Sequence, residues 1–339
     1  MQPTAATPPK YKAKPLNPSS PANLIPCNQP LMPRTPHPAT WKVILAFACI
    51  YILWGSTFLA IRLGVHQVPP LIFAAARFLT AGIILFAFVR ARREPSPTLR
   101  QWRAAALLGF LIFVCDYGLL FWAEQRVPSG IAAVMMATIP AFMALFEILF
   151  LRTQKLTARL ALALAIGLAG VAVLMSHAFH LGDAPISTAG ALALILASIA
   201  WSIASVITRK LPLPPSKAMS AAAQMLTGGL MLVPAAAIFS EFKAFHPTTI
   251  TAPAWWSLLY LIIAGSLIGF TAYVWLISHQ SPTKVGTYAY VNPVIAVVIG
   301  YFLGGEPLGL RTILGTLCVL ISVIVITTTR TQKPAPAKP

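Results

Sequence analysis

Long apolar runs, interrupted by short clusters of charge, proline and glycine, set the pattern of this chain. Ten runs stand out, at about 41–61, 71–89, 103–122, 130–150, 159–177, 187–207, 218–239, 255–277, 284–303 and 310–328. Each is around twenty residues, the length an α-helix needs to cross roughly 30 Å of hydrocarbon. The pattern predicts an all-α membrane protein with ten transmembrane helices. The first run is too long for the apolar part of a signal peptide and lacks a clear A-x-A cleavage site beyond it, so it is expected to stay as an anchor. Residues 1–40 are Pro-rich and the chain ends in "TQKPAPAKP"; neither segment buries enough apolar surface to order itself, so 1–40 and 329–339 are expected to be disordered tails.

Composition removes the soluble alternative. Of 339 residues 58% are hydrophobic and 9% charged, against about 25% charged in a soluble domain. The net charge of +18 does not point to nucleic acid, because the cations sit in loops and tails without a basic face or recognition motif. They act as topology signals. With the N-terminus inside, 20 of the 25 Lys and Arg fall on cytoplasmic segments, four (Arg62, Arg126, Lys243, Arg311) fall outside, and Arg77 lies within a span. The positive-inside rule then puts both termini in the cytoplasm, with the lipid bilayer as surroundings. Cys27, Cys49, Cys115 and Cys318 have no metal-ligand spacing, and neither a metal nor a cofactor is expected.

The chain writes its helices twice. "AAARFLTAG" at Ala74–Gly82 returns as "AAAQMLTGG" at Ala221–Gly229, identical at six of nine places, with Arg77 replaced by Gln224. "WGSTFLAIR" at Trp54–Arg62 answers "WSIASVITR" at Trp201–Arg209, and Trp122 answers Trp275. "TIP" ending at Pro140 answers "VNP" ending at Pro293. Residues 41–177 and 187–328 therefore read as two five-helix repeats. Because five is odd, the second repeat starts from the opposite side of the membrane, the inverted plan common among secondary transporters.

The motifs "YILWGSTFLAIRLG", "PPLIFAAARFLTAG", "AEQRVPSGIAAVMMATIP" and "SPTKVGTYAYVNPVIAVVIGYFLGGEPL" resemble the EamA family of the drug/metabolite transporter superfamily. The resemblance covers roughly 41–328 and implies a ten-helix inner-membrane transporter, usually an exporter of amino acids or other small metabolites. The family acid after the glycines of "GGEPL" is Glu306 here, while the first copy reads "LRTQKL" and lacks it.

Ionisable residues inside spans are expensive unless paired or facing water. Arg77 and Asp116 both fall about 9 Å from the outer face, six residues from a span end at ~1.5 Å each, and both vanish together in the second copy. An Arg77–Asp116 pair facing a polar cavity is expected, with Ser56 and Thr57 in the same outer half. Asp116 and Glu147 are the candidates for proton coupling. Glu124 and Arg126 read as a loop ion pair, and His279 as a solvated end residue. Trp54, Trp201, Tyr273, Tyr290 and Asn292 are the further candidates for binding an organic solute, with Trp275 and Tyr288 beside them, because Trp and Tyr join an apolar face to a hydrogen-bonding tip. Pro140 and Pro293 are expected to kink their helices. Gly265/Gly269 and Gly300/Gly304 read as close-packing pairs.

A secondary transporter of a small molecule, amino acids among the candidates, is thus the leading expectation. Efflux of lipophilic cations is the alternative. A membrane-embedded lipid-modifying enzyme would need a cluster of acids or histidines that the seven acids and six histidines do not form. A channel would need a ring of charge. No nucleotide-binding loop is present to drive the cycle with ATP. Oligomeric state is left open, with a homodimer among the options.

Overall fold

The computed structural model describes residues 38–127, 129–174, 187–304 and 310–329. The expected tails (apart from their inner ends), Glu306 and Cys27 lie outside them. The regular elements among the described residues are all helices, with no strand. The helical segments are α1 (Thr40–Val65), α2 (Pro70–Ala91), α3 (Leu99–Glu124), α4 (Ser129–Met136), α5 (Ile139–Leu151), α6 (Ala158–Leu174), α7 (Thr188–Lys210), α8 (Lys217–Ile238), α9 (Glu241–Ala244), α10 (Ala252–His279), α11 (Pro282–Gly286), α12 (Tyr288–Gly304) and α13 (Leu310–Thr328). Six of them, α1, α2, α3, α7, α8 and α10, are long and apolar enough to cross a membrane. Large apolar side chains such as Ile44, Leu45, Ile83, Leu192, Leu230 and Ile324 stand exposed on their outward faces. Water would reject so much contiguous apolar surface; a bilayer accepts it.

Two irregularities depart from straight spans. The run at 130–150 is broken at Ala137 and Thr138, and Pro140 occupies the first turn of α5 rather than kinking a continuous helix. A proline ring tolerates that position because the first-turn N–H groups have no helical partner. Pro293, by contrast, lies inside α12 as expected. The second irregularity leaves no mark in the apolar pattern: α3 widens into a π-helical stretch at Phe110–Gly118, and α10 does so at the equivalent place, Leu261–Phe270. Such stretches are rare and concentrate at functional sites.

The twice-written helices, α2 and α8, pack along each other. A Cβ on Gly82 would stand 3.0 Å from the backbone nitrogen of Leu226, and a Cβ on Gly229 would stand 3.0 Å from that of Leu79. Leu226 is the repeat counterpart of Leu79, and Gly229 that of Gly82. As one number rises the other falls, so the helices run antiparallel and each glycine receives the other copy's leucine. This is the local geometry of a two-fold axis. The fifth and tenth runs, α6 and α13, also pack together, with Gly167 against Ser322 and Gly170 against Cys318.

The start of α2 shows how an end is satisfied from afar. Pro69 and Pro70 offer no side-chain cap, leaving the next N–H groups without a helical acceptor. Glu241, on the short α9, takes them: its carboxylate accepts from Leu71 N at 2.9 Å and from Ile72 N at 3.0 Å.

Two predictions follow from these contacts. Gly82→Ala and Gly229→Ala each drive a methyl against backbone that cannot yield, and each is expected to cost about 1–3 kcal/mol. Thermal unfolding should show similar losses for the two, and a double variant that falls short of their sum; a silent single variant would contradict the crossing. Glu241 adds a pH dependence. Burial lifts its carboxyl above the ordinary glutamate range, with the Ile72 and Leu71 hydrogen bonds pulling it part-way back. The folded state then holds this proton more tightly than the unfolded chain does. Its contribution to stability is complete below the ordinary glutamate value and declines as pH rises through the raised one. Glu241→Gln is expected to remove that part of the decline in a pH series of melting temperatures.

Candidate functional site

A cavity of about 40 Å³ lies where the long helices meet, lined by residues of both repeats. From α1 it takes Trp54, Thr57, Phe58 and Ile61, the i, i+3, i+4, i+7 positions of one helical face. Asp116 and Tyr117, from the π-helical stretch of α3, line it, and Leu120 follows one turn on. Trp201 comes from α7, and Tyr288 and Asn292 from α12.

Aromatic rings form its walls. The Trp54 ring lies 5.5 Å from Trp201 and 4.8 Å from Tyr288, both edge-on, and Trp201 lies 4.8 Å from Tyr273. Trp54 is held by its indole N–H, which donates to the Gly265 carbonyl at 3.0 Å. Gly269 makes room for it, since a Cβ there would stand 2.5 Å from Trp54 Nε1. Tyr273 backs the wall and shares a hydrogen bond with Ser205. Within this apolar setting two oxygens have no hydrogen-bond partner: Asp116 Oδ1 and Asn292 Oδ1. Native interiors leave few such atoms, because each costs on the order of 1–3 kcal/mol.

The expected Arg77–Asp116 pair is not formed. Arg77 does not line the cavity. Its Nε donates to Ser266 Oγ at 2.9 Å, and its guanidinium lies 4.6 Å from the Phe78 ring centroid and 5.1 Å from that of Tyr117. A guanidinium accommodates an aromatic face better than an ammonium does, since it is planar and weakly hydrated. Gly265 leaves the space, as a Cβ there would meet Arg77 Nη2 at 2.5 Å. The Gly265/Gly269 pair therefore clears room for two side chains, Arg77 and Trp54, rather than for a close backbone crossing. In the second copy Gln224 turns to Ser220 Oγ at 3.0 Å and needs no such cage.

Other candidates separate from the cavity. Ser56 faces Tyr260 on the outer side of α1 and bonds the Leu53 carbonyl of its own helix. Tyr290 is buried in a second apolar cluster between α6 and α13, with its hydroxyl donating to the Leu164 carbonyl at 3.0 Å. Trp275 stacks on His279 at the end of α10, with ring centroids 4.4 Å apart. The sequence spacing had put Tyr290 beside Asn292, but at helical pitch two residues point about 200° apart.

Glu147 is a clamp and not an open carboxylate. It is fully buried, accepting from Thr153 Oγ1 at 2.9 Å, Thr283 Oγ1 at 2.7 Å and Thr283 N at 3.1 Å. It thereby ties the end of α5 to the first turn of α11. The expected Glu124–Arg126 loop pair is also absent: Arg126 donates to the Trp122 carbonyl and lies over its ring, while Glu124 is buried with both carboxylate oxygens unpartnered. Glu124 stands eight positions after Asp116 on α3 and does not line the cavity.

A family model described as the EamA-like transporter family matches the chain twice, over residues 41–176 and 188–328. The chain belongs to that family. It is 39% identical over 292 residues to the uncharacterized inner membrane transporter YedA of Escherichia coli K12, covering 86% of this chain and 92% of that one. Protein PecM of Dickeya dadantii is 26% identical, covering 81% and 88%. One solved crystal structure superposes with a TM-score of 0.68 at 22% identity, covering 85% of this chain and 97% of its own, a likeness of fold. Both EamA repeats supply walls of the cavity, Trp54 and Asp116 from the first, Trp201, Tyr288 and Asn292 from the second.

Glu147→Ala removes three accepted hydrogen bonds at once and is expected to lower stability by about 2–4 kcal/mol. Thr283→Val is expected to lose a part of the same stability, since it keeps the backbone donor. A thermal-unfolding double-mutant cycle checks this; additive losses would mean that the two residues do not act on each other.

Proposed function

We propose that this EamA-family chain is a secondary transporter that exports small metabolites, amino acids among them, across the inner membrane by alternating access between two inverted five-helix halves. The observation that carries this reading is the cavity itself. It lies between the repeats, is walled by aromatic rings, and holds unpartnered oxygens on Asp116 and Asn292. Two acceptors among aromatic faces suit the ammonium group of an organic solute, through hydrogen bonds and cation–π attraction. At about 40 Å³ the cavity holds water but not a metabolite, for which pockets run from roughly 300 Å³ upward. The halves must therefore move apart to admit one, which is what alternating access supplies.

The two-fold crossing of Gly82 and Gly229 supports the inverted relation of the halves. Ten crossings follow if the shorter apolar helices (Ile139–Leu151, Ala158–Val173, Ile313–Thr328) and α12 span the bilayer with α1, α2, α3, α7, α8 and α10. The asymmetry of Lys and Arg then puts both termini in the cytoplasm, and the name of the Escherichia coli relative favours the inner membrane. Trp54, Thr57, Asp116, Trp201 and Asn292 are the substrate-contacting residues on this reading, with Tyr273 behind them. Arg77 acts by holding Tyr117 in the wall. A second reading, efflux of lipophilic cations, rests on the same carboxylate among aromatic rings.

Thermal unfolding of the purified protein against amino acids and lipophilic cations separates the two readings, a ligand at ~100 times its Kd adding about 2.7 kcal/mol. The solute that shifts the melt should then undergo counterflow exchange in proteoliposomes, and Asp116→Asn is expected to slow that exchange tenfold or more. Exchange unchanged in Asp116→Asn would remove Asp116 from the site, and absence of exchange for any stabilising solute would end the transport reading.

A further inference from the structure

Glu124 is a buried charge-bearing group without an assigned role. Its residue is 1% exposed and neither carboxylate oxygen has a hydrogen-bond partner. Evolution has a cheap remedy for a carboxylate that serves no purpose in an apolar interior, namely an amide or an alkyl group. A carboxyl kept there meets the cost of burial by binding a proton.

Its position connects it to the cavity. Asp116, Leu120 and Glu124 are spaced four apart on α3, so they follow one another up one helix face. Asp116 and Leu120 both line the cavity, which leaves a single helical turn between the cavity wall and Glu124. On its other side the helix ends at Glu124 itself. Three residues on, Val127 lies against Gly190 in the first turn of α7. Glu124 thus stands between the end of the bundle and the central site.

The charged surroundings are sparse. From α1, Arg62 acts on Glu124 electrostatically without forming an ion pair. From α2, Arg77 is engaged by Ser266 and by the rings of Phe78, Tyr117 and Phe121. The packed segments α4 and α7, as far as Ile207, carry no titratable side chain. The one other carboxylate along this face is Asp116.

We propose that Glu124 is a proton-binding site that exchanges its proton with Asp116, so that the two carboxyls form the route by which a proton moves between the end of α3 and the central cavity. This rests on the secondary-transport reading and names its coupling ion. In the step, the O–H bond of the Glu124 carboxyl breaks and an O–H bond forms on the Asp116 carboxylate, through water in the opened cavity. Glu124 is left as a carboxylate beside Arg62 and regains a proton from water at the helix end. Glu147, with its oxygens taken by Thr153 and Thr283, has no part in it.

The test needs no transported solute. Infrared difference spectra of the purified full-length protein are recorded from about pH 5 to about pH 9, a range that reaches carboxyls in apolar sites. The expected result is a protonated-carboxyl stretching band that titrates in wild type and is missing from Glu124→Gln. In Asp116→Asn the Glu124 band should remain with its midpoint lower by about one pH unit, the effect of removing a unit charge ~12 Å away at an effective dielectric of ~20. A spectrum unchanged in Glu124→Gln, or a midpoint unmoved in Asp116→Asn, overturns the proposal. Should Glu124→Gln fail to fold, Asp116→Asn reads the same exchange partner in a chain that keeps Glu124. Because no solute is involved, these outcomes are independent of the counterflow experiment: loss of exchange there would leave the band intact, and loss of the band here would leave exchange standing.

Discussion

A hydrocarbon surrounding offers a polar group no water, so every donor and acceptor within the helices must find its partner in the protein or remain at a cost. Most of the unusual features of this chain are answers to that constraint. Arg77 lies among aromatic faces and one serine hydroxyl. Glu147 is filled by two threonines. Glu241 reaches over to the proline-started end of α2, whose own sequence supplies no cap. Other buried atoms are left without a hydrogen-bond partner, among them oxygens of Asp116, Asn292 and Glu124, Nη1 of Arg77, and oxygens of Gln154 and Thr271.

The duplication serves the same economy of contact. Lipid tails are as apolar as leucine, so helices associate in a bilayer through close packing, which small residues allow. Gly82 and Gly229 let the twin helices approach until each glycine touches the backbone of the other copy. One helix sequence, used twice, thereby makes a self-complementary crossing. The cavity inherits the symmetry only in part. Trp54 and Trp201 are repeat counterparts and face each other edge-on, but Asp116 has a glycine at or next to its counterpart position in the second copy.

Much of the chemistry turns on the π-helical stretches. Asp116 and Tyr117, which line the cavity, lie within the widened stretch Phe110–Gly118. Its counterpart in α10 supplies Ser266 to Arg77 and the Gly265 carbonyl to Trp54. The same departure from regular helix thus builds the acidic side of the site and anchors its aromatic side.

The hydrophobic pattern by itself determined the helical class, the membrane setting, the duplication and the family, because twenty-residue apolar runs and a repeated motif depend only on composition and order along the chain. It also singled out Trp54, Thr57, Asp116, Trp201 and Asn292, residue types that are costly or conspicuous in an apolar run. Partnership was another matter. Arg77 with Ser266, Glu147 with Thr283 and Glu241 with Leu71 are joined across 189, 136 and 170 positions. Helical pitch decided that Asn292 faces the cavity and Tyr290, two residues before it, does not. Which charges are satisfied and which stay open is a property of neighbours brought together in space, and only the tertiary structure could decide it.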